Sequence, residues 1–507
     1  TLRATRTTFD AYVPAGSGAA WDGILFAYDK AYCDMDSCLV TGIRMRPDTG
    51  GCAVHFYAAN DTGNHICRSA IYRDDPALHE RIGEGIFLQP GPWLDGFVAG
   101  SALVLECSTI GNDWYSGVAS VRSSTNVSTT HLTGNAHGMC LDDQSNAYLR
   151  RSCLEDAANI GLRLNNECLV YLSDESHTLN GDNRIFNNDS VQCKILNGSA
   201  LIGGIYVQPL FQRGMDNIGS ADTTKMRVFA EGWASVVMKN EYWGNLQSTL
   251  DTSDNTWHIP PAIAAPLFVS DPISSIEYNP VHKDEIIPFC NIDCSEDQIG
   301  PFHKTSSLPP HASRLDDLFR YAWEGNFVEV YRFIAQFGRQ NPGHALRAAS
   351  LALALERWHA SRNWDSTAMC RSRLLSFYNT WYAASNSDSL RAGLLALMSY
   401  GSLALGDMQE CEASIARLRS TYPASAHAKR VLKLLLSVAM AKHDDAQVNS
   451  VLQTMASTNP DPFEMRIARS MKRGYDRVLP RWYFPKASRS IGSGRDVVTT
   501  RTGPLAD

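Results

Sequence analysis

The sequence predicts two architectures in series: a solenoid of stacked parallel β-strands, then a region of α-helical hairpins. Three observations carry this. First, a phrase recurs. Gly117-Val118-Ala119-Ser120-Val121 leads to Asn126-Val127 and Leu132; Gly138-Met139-Cys140-Leu141 leads to Asn146-Ala147-Tyr148-Leu149 and Cys153-Leu154; Gly161-Leu162-Arg163-Leu164 leads to Leu169-Val170-Tyr171-Leu172. Its glycines are 21 and 23 residues apart, and short strands repeating every roughly 20–29 residues are a solenoid signature. Second, prolines crowd the middle of the chain, from Pro260 and Pro261 to Pro309 and Pro310. Third, from Arg314 the apolar spacing becomes helical, with Leu315, Leu318, Phe319 and Ala322 on one face. The expected divisions are 1–257 solenoid, 258–312 linker, 313–475 helical hairpins and 476–507 polar tail.

Within the solenoid, alternation sends Met139 and Leu141, or Leu162 and Leu164, to one side of a strand. One coil cannot bury that side alone; stacking coils does, and each backbone then pairs with the coils above and below. Asn and Asp at the corners tolerate left-handed backbone angles. An antiparallel sandwich, with strands every about 8–12 residues, is the competing reading, but it leaves the returning phrase unexplained. Met139, Leu162, Leu164 and Val170 are expected inside, and the crossover rule makes the coil right-handed.

The remaining coils follow in order. Trp21-Asp22-Gly23-Ile24-Leu25-Phe26 opens one and Ser37–Ile43 completes it. Gly51–Phe56 pairs with His65–Ile71, and Gly85–Leu88 with Ser101–Ile110. These early coils are longer, so segments such as Asp74–Gly83 and Gln89–Gly100 must leave as loops, which in solenoids often line the binding face. Arg184–Asn188 and Val191–Leu196 still fit the phrase, and Lys225–Ala230 fits after a gap.

The phrase of Gly-aliphatic-x-Leu, then Asn/Ser-x-aliphatic, then Cys-Leu or His-Leu, resembles the coil repeat of right-handed parallel β-helix proteins, the pectate-lyase-like group of secreted bacterial proteins. Asn240-Glu241-Tyr242-Trp243-Gly244-Asn245 resembles the closing signature of such helices. The resemblance covers about residues 18–250 and implies a fold more than an activity.

The chain has 507 residues and a formal charge of −7, which leaves no basic footprint for nucleic acid. No apolar run is long enough to span a bilayer. Thr1-Leu2-Arg3-Ala4 lacks the apolar core of a signal peptide, and a chain opening without Met reads as a processed or excised piece, so export remains the expectation. Nine of 13 cysteines precede residue 200; they read as small core residues, with one or two disulfides among them. Cys33 with Cys38, and Cys290 with Cys294, are the nearest pairs. Neither has zinc-site spacing.

Helices are expected over Phe327–Phe337, Pro342–Arg357, Thr367–Ala384, Asp388–Leu405, Met408–Ser420, Ala424–Ala441 and Asp444–Ala456, with turns at Gly325-Asn326, Gly406-Asp407 and His443-Asp444. The last two turns are 37 residues apart, and the hairpins resemble tetratricopeptide-like repeats of nominal period about 34 residues. Leu394, Leu397, Leu403, Leu432, Leu435 and Val438 are expected between helices, in a unit that packs independently of the solenoid.

Related β-helix enzymes use strand-borne aspartates with calcium and a basic residue, or paired aspartates with a nearby His. The corresponding pieces here are Asp142, Asp143, His137 and Arg163, with Asp142, Asp143 and Asp174 as an alternative calcium set. The family patterns are broken: Ala136-His137-Gly138 lacks its leading glycine and comes before the aspartates, and Arg184-Ile185-Phe186 lacks a lysine. Corner hydrogen bonding accounts for the aspartates without chemistry. No cofactor is therefore expected, calcium being the alternative. The reading is a non-catalytic secreted or cell-surface scaffold that binds polysaccharide or surface proteins, with a helical-repeat interaction domain and an option of self-association. The alternative is a polysaccharide lyase or glycoside hydrolase acting on acidic polysaccharide.

Overall fold

The computed structural model describes residues 2–10, 25–28, 32–41, 51–59, 63–73, 83–91, 100–172, 181–203, 216–238, 241–244, 246, 251–253, 256–279, 281, 318, 321–322, 324–362, 367–405, 407–458 and 462–482. Three all-parallel sheets of 10, 8 and 9 strands run through the first half. Each coil gives one strand to each sheet in turn. Leu2–Thr5 starts the first sheet, Thr8–Asp10 the second, Leu25–Tyr28 the third, and Cys33–Asp36 returns to the first.

The register stacks like on like. In the second sheet Ile71, Ile110, Leu132, Leu154, Ile185 and Ile218 stand over one another. Met35, Ile66, Leu105, Val127 and Leu149 do so in the first, and Val118, Met139, Leu162, Cys193 and Val228 in the third. All are fully buried and form one continuous interior. Leu164 and Val170 join them, so the four residues expected inside are inside. In the earlier coils the first sheet alternates buried and half-buried positions, as along Ala102–Glu106 and Ser124–Ser128, but its Leu169–Tyr171 and Ala200–Gly203 are buried throughout. The third is buried on both faces along Glu84–Gln89, Ser116–Val121, His137–Asp142 and Ile160–Asn165.

Glycine keeps the third sheet's coils in contact. A Cβ on Gly117 would lie 2.8 Å from the Gly138 carbonyl oxygen, and one on Gly138 2.5 Å from that of Gly161. At the corner between the first two sheets the turning residue is left-handed but varied: Ser37, Arg68, Cys107, Thr129 and Arg151 all have φ between 46 and 54°. A hydroxyl ladder holds that corner. Ser69, Ser108 and Ser152 each donate to the carbonyl two residues back, while the Ser69 amide donates to Ser108 Oγ and the Thr130 amide to Ser152 Oγ.

The solenoid continues past residue 257, into the stretch read as linker. Pro261 opens a short helix, α1 (Pro261–Leu267), as proline suits a first helical turn. Phe268–Ser270 then pairs with the third sheet and Ser275–Glu277 with the first. Trp243, read as a closing residue, is buried edge-on against Phe268 at 4.8 Å and so sits beneath this further coil.

The helices are α2 (Phe327–Gln340), α3 (Ala345–Arg362), α4 (Thr367–Ala384), α5 (Asp388–Leu405), α6 (Met408–Thr421), α7 (Ala426–Ala441), α8 (Asp445–Thr458) and α9 (Pro462–Trp482). Asp407 caps α6 and Ser425 caps α7, each accepting a backbone N–H three residues on. The six expected core residues from Leu394 to Val438 are buried. Two expectations are corrected. The polar tail does not begin at 476, because α9 runs to Trp482. Nor do the helices pack independently: Phe87, Ala119, Val121, Cys140, Tyr148 and Tyr171 from the solenoid's outer surface share one core with residues of α2 to α9.

The cysteines are mostly core residues. Cys33, Cys38, Cys52, Cys140, Cys168 and Cys193 are buried, and Cys33 and Cys38, the nearest candidate pair, are not bridged to each other. Cys153 is disulfide-bonded. Cys290 and Cys294 lie outside the described residues, as do Asp174 and the loops at 74–82 and 92–99.

Candidate functional site

Of the residues singled out from the sequence, His137, Asp142 and Arg163 lie on strands of the third sheet, under the helices, and Asp143 stands at the corner that follows; Asp174 is outside the described residues. Strand His137–Asp142 runs between Ser116–Val121 and Ile160–Asn165. Asp142 ends it, opposite Asn165 in register. Its side chain meets Lys433, from the middle of α7. The ammonium donates to Asp142 Oδ2, and to Glu464 Oε2 of α9 at 2.6 Å. Asp142 Oδ1 accepts from the side-chain amides of Asn165 and Asn166, each at 3.2 Å. Asn165 also donates to Glu464 Oε1. Lys433 and Asp142 are each 1% exposed.

Asp143 turns away. Its φ of 54° marks the corner, and its carboxylate accepts from Arg122 at 2.6 Å and from the Tyr400 hydroxyl of α5 at 3.1 Å. The adjacent aspartates therefore serve different partners rather than one reacting bond. Arg163 lies over the ring of Phe463, its guanidinium carbon 3.8 Å from the centroid. His137 meets the edges of Tyr115 and Phe463. Around this centre Arg430 of α7 donates to Asn166 Oδ1 and to the Asn197 carbonyl, and stacks on Trp233. Arg466 of α9 donates to Glu84 at 3.2 Å and covers Tyr115. Gln89 donates to the Met471 carbonyl.

The electrostatics follow from one buried cation facing two carboxylates. Burial raises Asp142, and despite the opposing pull of Lys433 its pKa is pushed up to about 7. Burial alone would discharge Lys433, but Asp142 and Glu464 more than offset it and hold the ammonium above its ordinary range. Burial would likewise raise Glu464, yet Lys433 keeps it below its ordinary value. Asp142 is thus the weaker acid and takes up the proton that spares the site a net negative charge. Burial, then Arg163 and Arg466, lowers His137 to about 3, so it is neutral across the physiological range.

Lys433, Glu464, Asn166, Arg430 and Tyr400 escaped the sequence reading. Lys433 left one signal: it interrupts the apolar run Val431-Leu432-Lys433-Leu434-Leu435-Leu436, and a lone charge inside a buried stripe needs a partner. The open faces carry a different cluster. His65, Cys67 and Glu106 on the first sheet hold ligand atoms within 4.8 Å of one another and could hold a soft divalent metal. Burial raises the Cys67 thiol to about 11. Inside the solenoid, burial raises Asp216 to about 7 and Glu241 well above its ordinary value.

No family model matches the chain, and no curated protein does. Among solved structures, that of trypsin-treated QnrB1, a plasmid-mediated fluoroquinolone resistance protein, aligns with 54% of this chain and 92% of its own, at 10% identity and a TM-score of 0.17. A likeness so slight carries no argument; the solenoid rests on the strand register. Among the described residues, no helix is long and apolar enough to cross a membrane.

Proposed function

We propose that the chain is a non-catalytic secreted or cell-surface scaffold, a right-handed β-helix of pectate-lyase type joined to tetratricopeptide-like hairpins, which binds polysaccharide or surface proteins. One observation carries the reading: the two carboxylates that would perform acid–base cleavage are committed to ion pairs, Asp142 with Lys433 beneath α7 and α9 and Asp143 with Arg122 beside α5. Acid–base cleavage of a glycosidic bond needs two carboxyls about 5–9.5 Å apart on either side of the substrate. Asp142 and Asp143 instead face a lysine and an arginine with no room for a sugar.

The open surfaces suit binding. The first and second sheets present rows of polar groups such as Asp36, Arg68, His131, Glu155 and Arg184. Between α6, α7 and α8 runs a cleft of about 590 Å³ with Ile415, Leu432 and Leu435 along it and Glu412, Arg419 and Lys429 among its polar lining. Such a lining fits a peptide with an apolar anchor and mixed charge.

The test is incubation with pectin, alginate, chondroitin and homogalacturonan, with and without calcium, alongside glycan-array binding. Saturable binding without unsaturated product or new reducing ends is expected. Turnover by the purified chain overturns the scaffold reading and favours the lyase or hydrolase.

A further inference from the structure

We propose that Lys433 and Asp142 become joined by an intramolecular isopeptide bond, formed by the fold itself, with Glu464 moving the protons and Asn165 and Asn166 holding the carbonyl oxygen. This modification stands apart from any ligand of the solenoid. Its chemistry needs an amine, a carboxyl carbon, a proton carrier between them, donors on the carbonyl oxygen, and no competing water. The helix–sheet interface supplies each one. The Lys433 ammonium donates directly to Asp142 and sits 2.6 Å from Glu464 Oε2. Two amide donors converge on Asp142 Oδ1, leaving Oδ2 on the side of Lys433 and Glu464. Asn165 further fixes Glu464 through its other carboxylate oxygen. Lys433 and Asp142 are each 1% exposed and Glu464 12%, so bulk solvent has little access to the reacting atoms.

The step balances. Lys433 Nζ gives one ammonium proton to the Glu464 carboxylate and becomes a free amine. The amine attacks Cγ of the protonated Asp142 carboxyl, forming the Nζ–Cγ bond. Negative charge develops on Oδ1, facing the two asparagine amides, as in an oxyanion hole. Glu464 returns its proton to the Oδ2 hydroxyl, the Cγ–Oδ2 bond breaks, and water leaves. The remaining surplus proton on nitrogen passes to Glu464. Three charged or polar groups become a neutral amide, a neutral Glu464 and water. No oxidant, metal or nucleotide is consumed.

Two effects drive a condensation that dilute water disfavours. Fixed reactants gain an effective concentration of about 10⁵–10⁸ M. The product also removes a buried ammonium and its counter-charge, whose desolvation burdens the unreacted site. The role of Asp142 as the weaker acid fits this, because a protonated carboxyl is the electrophile and an ionised one is not.

The experiment is intact mass spectrometry of the full chain, denatured and with disulfides reduced. The wild-type chain is expected one water lighter than its sequence, with a proteolytic peptide pair linked through Lys433 and Asp142. Lys433→Arg keeps the cation but not the nucleophile, and should appear at full sequence mass. Glu464→Gln should also appear at full mass, with circular dichroism confirming the fold of both variants. A wild-type chain at full sequence mass after prolonged incubation near neutral pH overturns the proposal outright. A Glu464→Gln chain that still loses water removes Glu464 from its assigned role.

Discussion

The third sheet and the first differ although the same coils build them. Along the first sheet, strand Ser124–Ser128 reads half-buried, buried, half-buried, as a sheet with one wet face should. Its neighbour in the same coil, Ser116–Val121, is buried throughout. The difference lies in what covers them: at this level of the solenoid the helices pack on the third sheet, where Lys433 meets Asp142 and Arg466 meets Glu84. Further along, the first sheet is covered too, and Tyr148, Tyr171 and Ile202 join the helical core. On the open face charge is met at the surface, as where Arg68 pairs with Asp36 at 2.7 Å. On the covered face it is met in a dry interior, where losing one partner leaves the other stranded. Groups that look catalytic in the sequence are, on the covered face, parts of a domain joint.

The comparison can be broken most forcefully at Lys433. Lys433→Met strands Asp142 and Glu464 and should cost about 3–5 kcal/mol, read as a lower midpoint in chemical denaturation. Arg68→Met on the open face should leave that midpoint within measurement error, since its guanidinium is already solvated. Equal losses from the two substitutions would erase the distinction between the faces.

Acid should act through the covered face as well. Burial, followed by neighbouring arginines, lowers both His137 and His427 to about 3. A histidine whose folded pKa is depressed stabilises the fold above its unfolded value of about 6.5, and that contribution is lost as pH falls from there towards 3. Each histidine then contributes a slope of up to ~1.4 kcal/mol per pH unit. Other groups titrate over the same range, so the informative quantity is the difference between wild type and His137→Gln. Stability of the variant should fall less between pH 6.5 and pH 4; parallel curves would mean that His137 is not held neutral.

A smaller effect is expected from packing alone. Gly138→Ala brings a Cβ to 2.5 Å from the Gly161 carbonyl oxygen and should cost about 1–3 kcal/mol. Gly343→Ala, with nothing within 4 Å, should be near neutral. A neutral Gly138→Ala would show that the coils can part locally.

The solenoid was legible because its cause is local and periodic. The spacing of Gly117, Gly138 and Gly161 is the spacing of coils in contact, and the inward set follows from alternation. The helices from α2 to α8 were legible for the same reason, their ends set by Asp407, Ser425 and Gly or Asp turns. The joint was not. Asp142 and Lys433 are separated by 291 residues, and periodicity says which face of an element is apolar, not which other face it meets. The interruption at Lys433 and the Arg163 inside Ile160–Asn165 were the traces available. Pro261 misled because proline at a helix start and proline in a linker look alike in sequence.

The central claim is that helices and solenoid form one unit through the Asp142–Lys433–Glu464 joint. Native-state amide hydrogen exchange on the full chain tests it most directly, by comparing strand His137–Asp142 with helix Ala426–Ala441. The account predicts that both open with the same free energy and that Lys433→Met lowers both together. Exchange of the helix at a much lower free energy, while the strand stays protected, would contradict it.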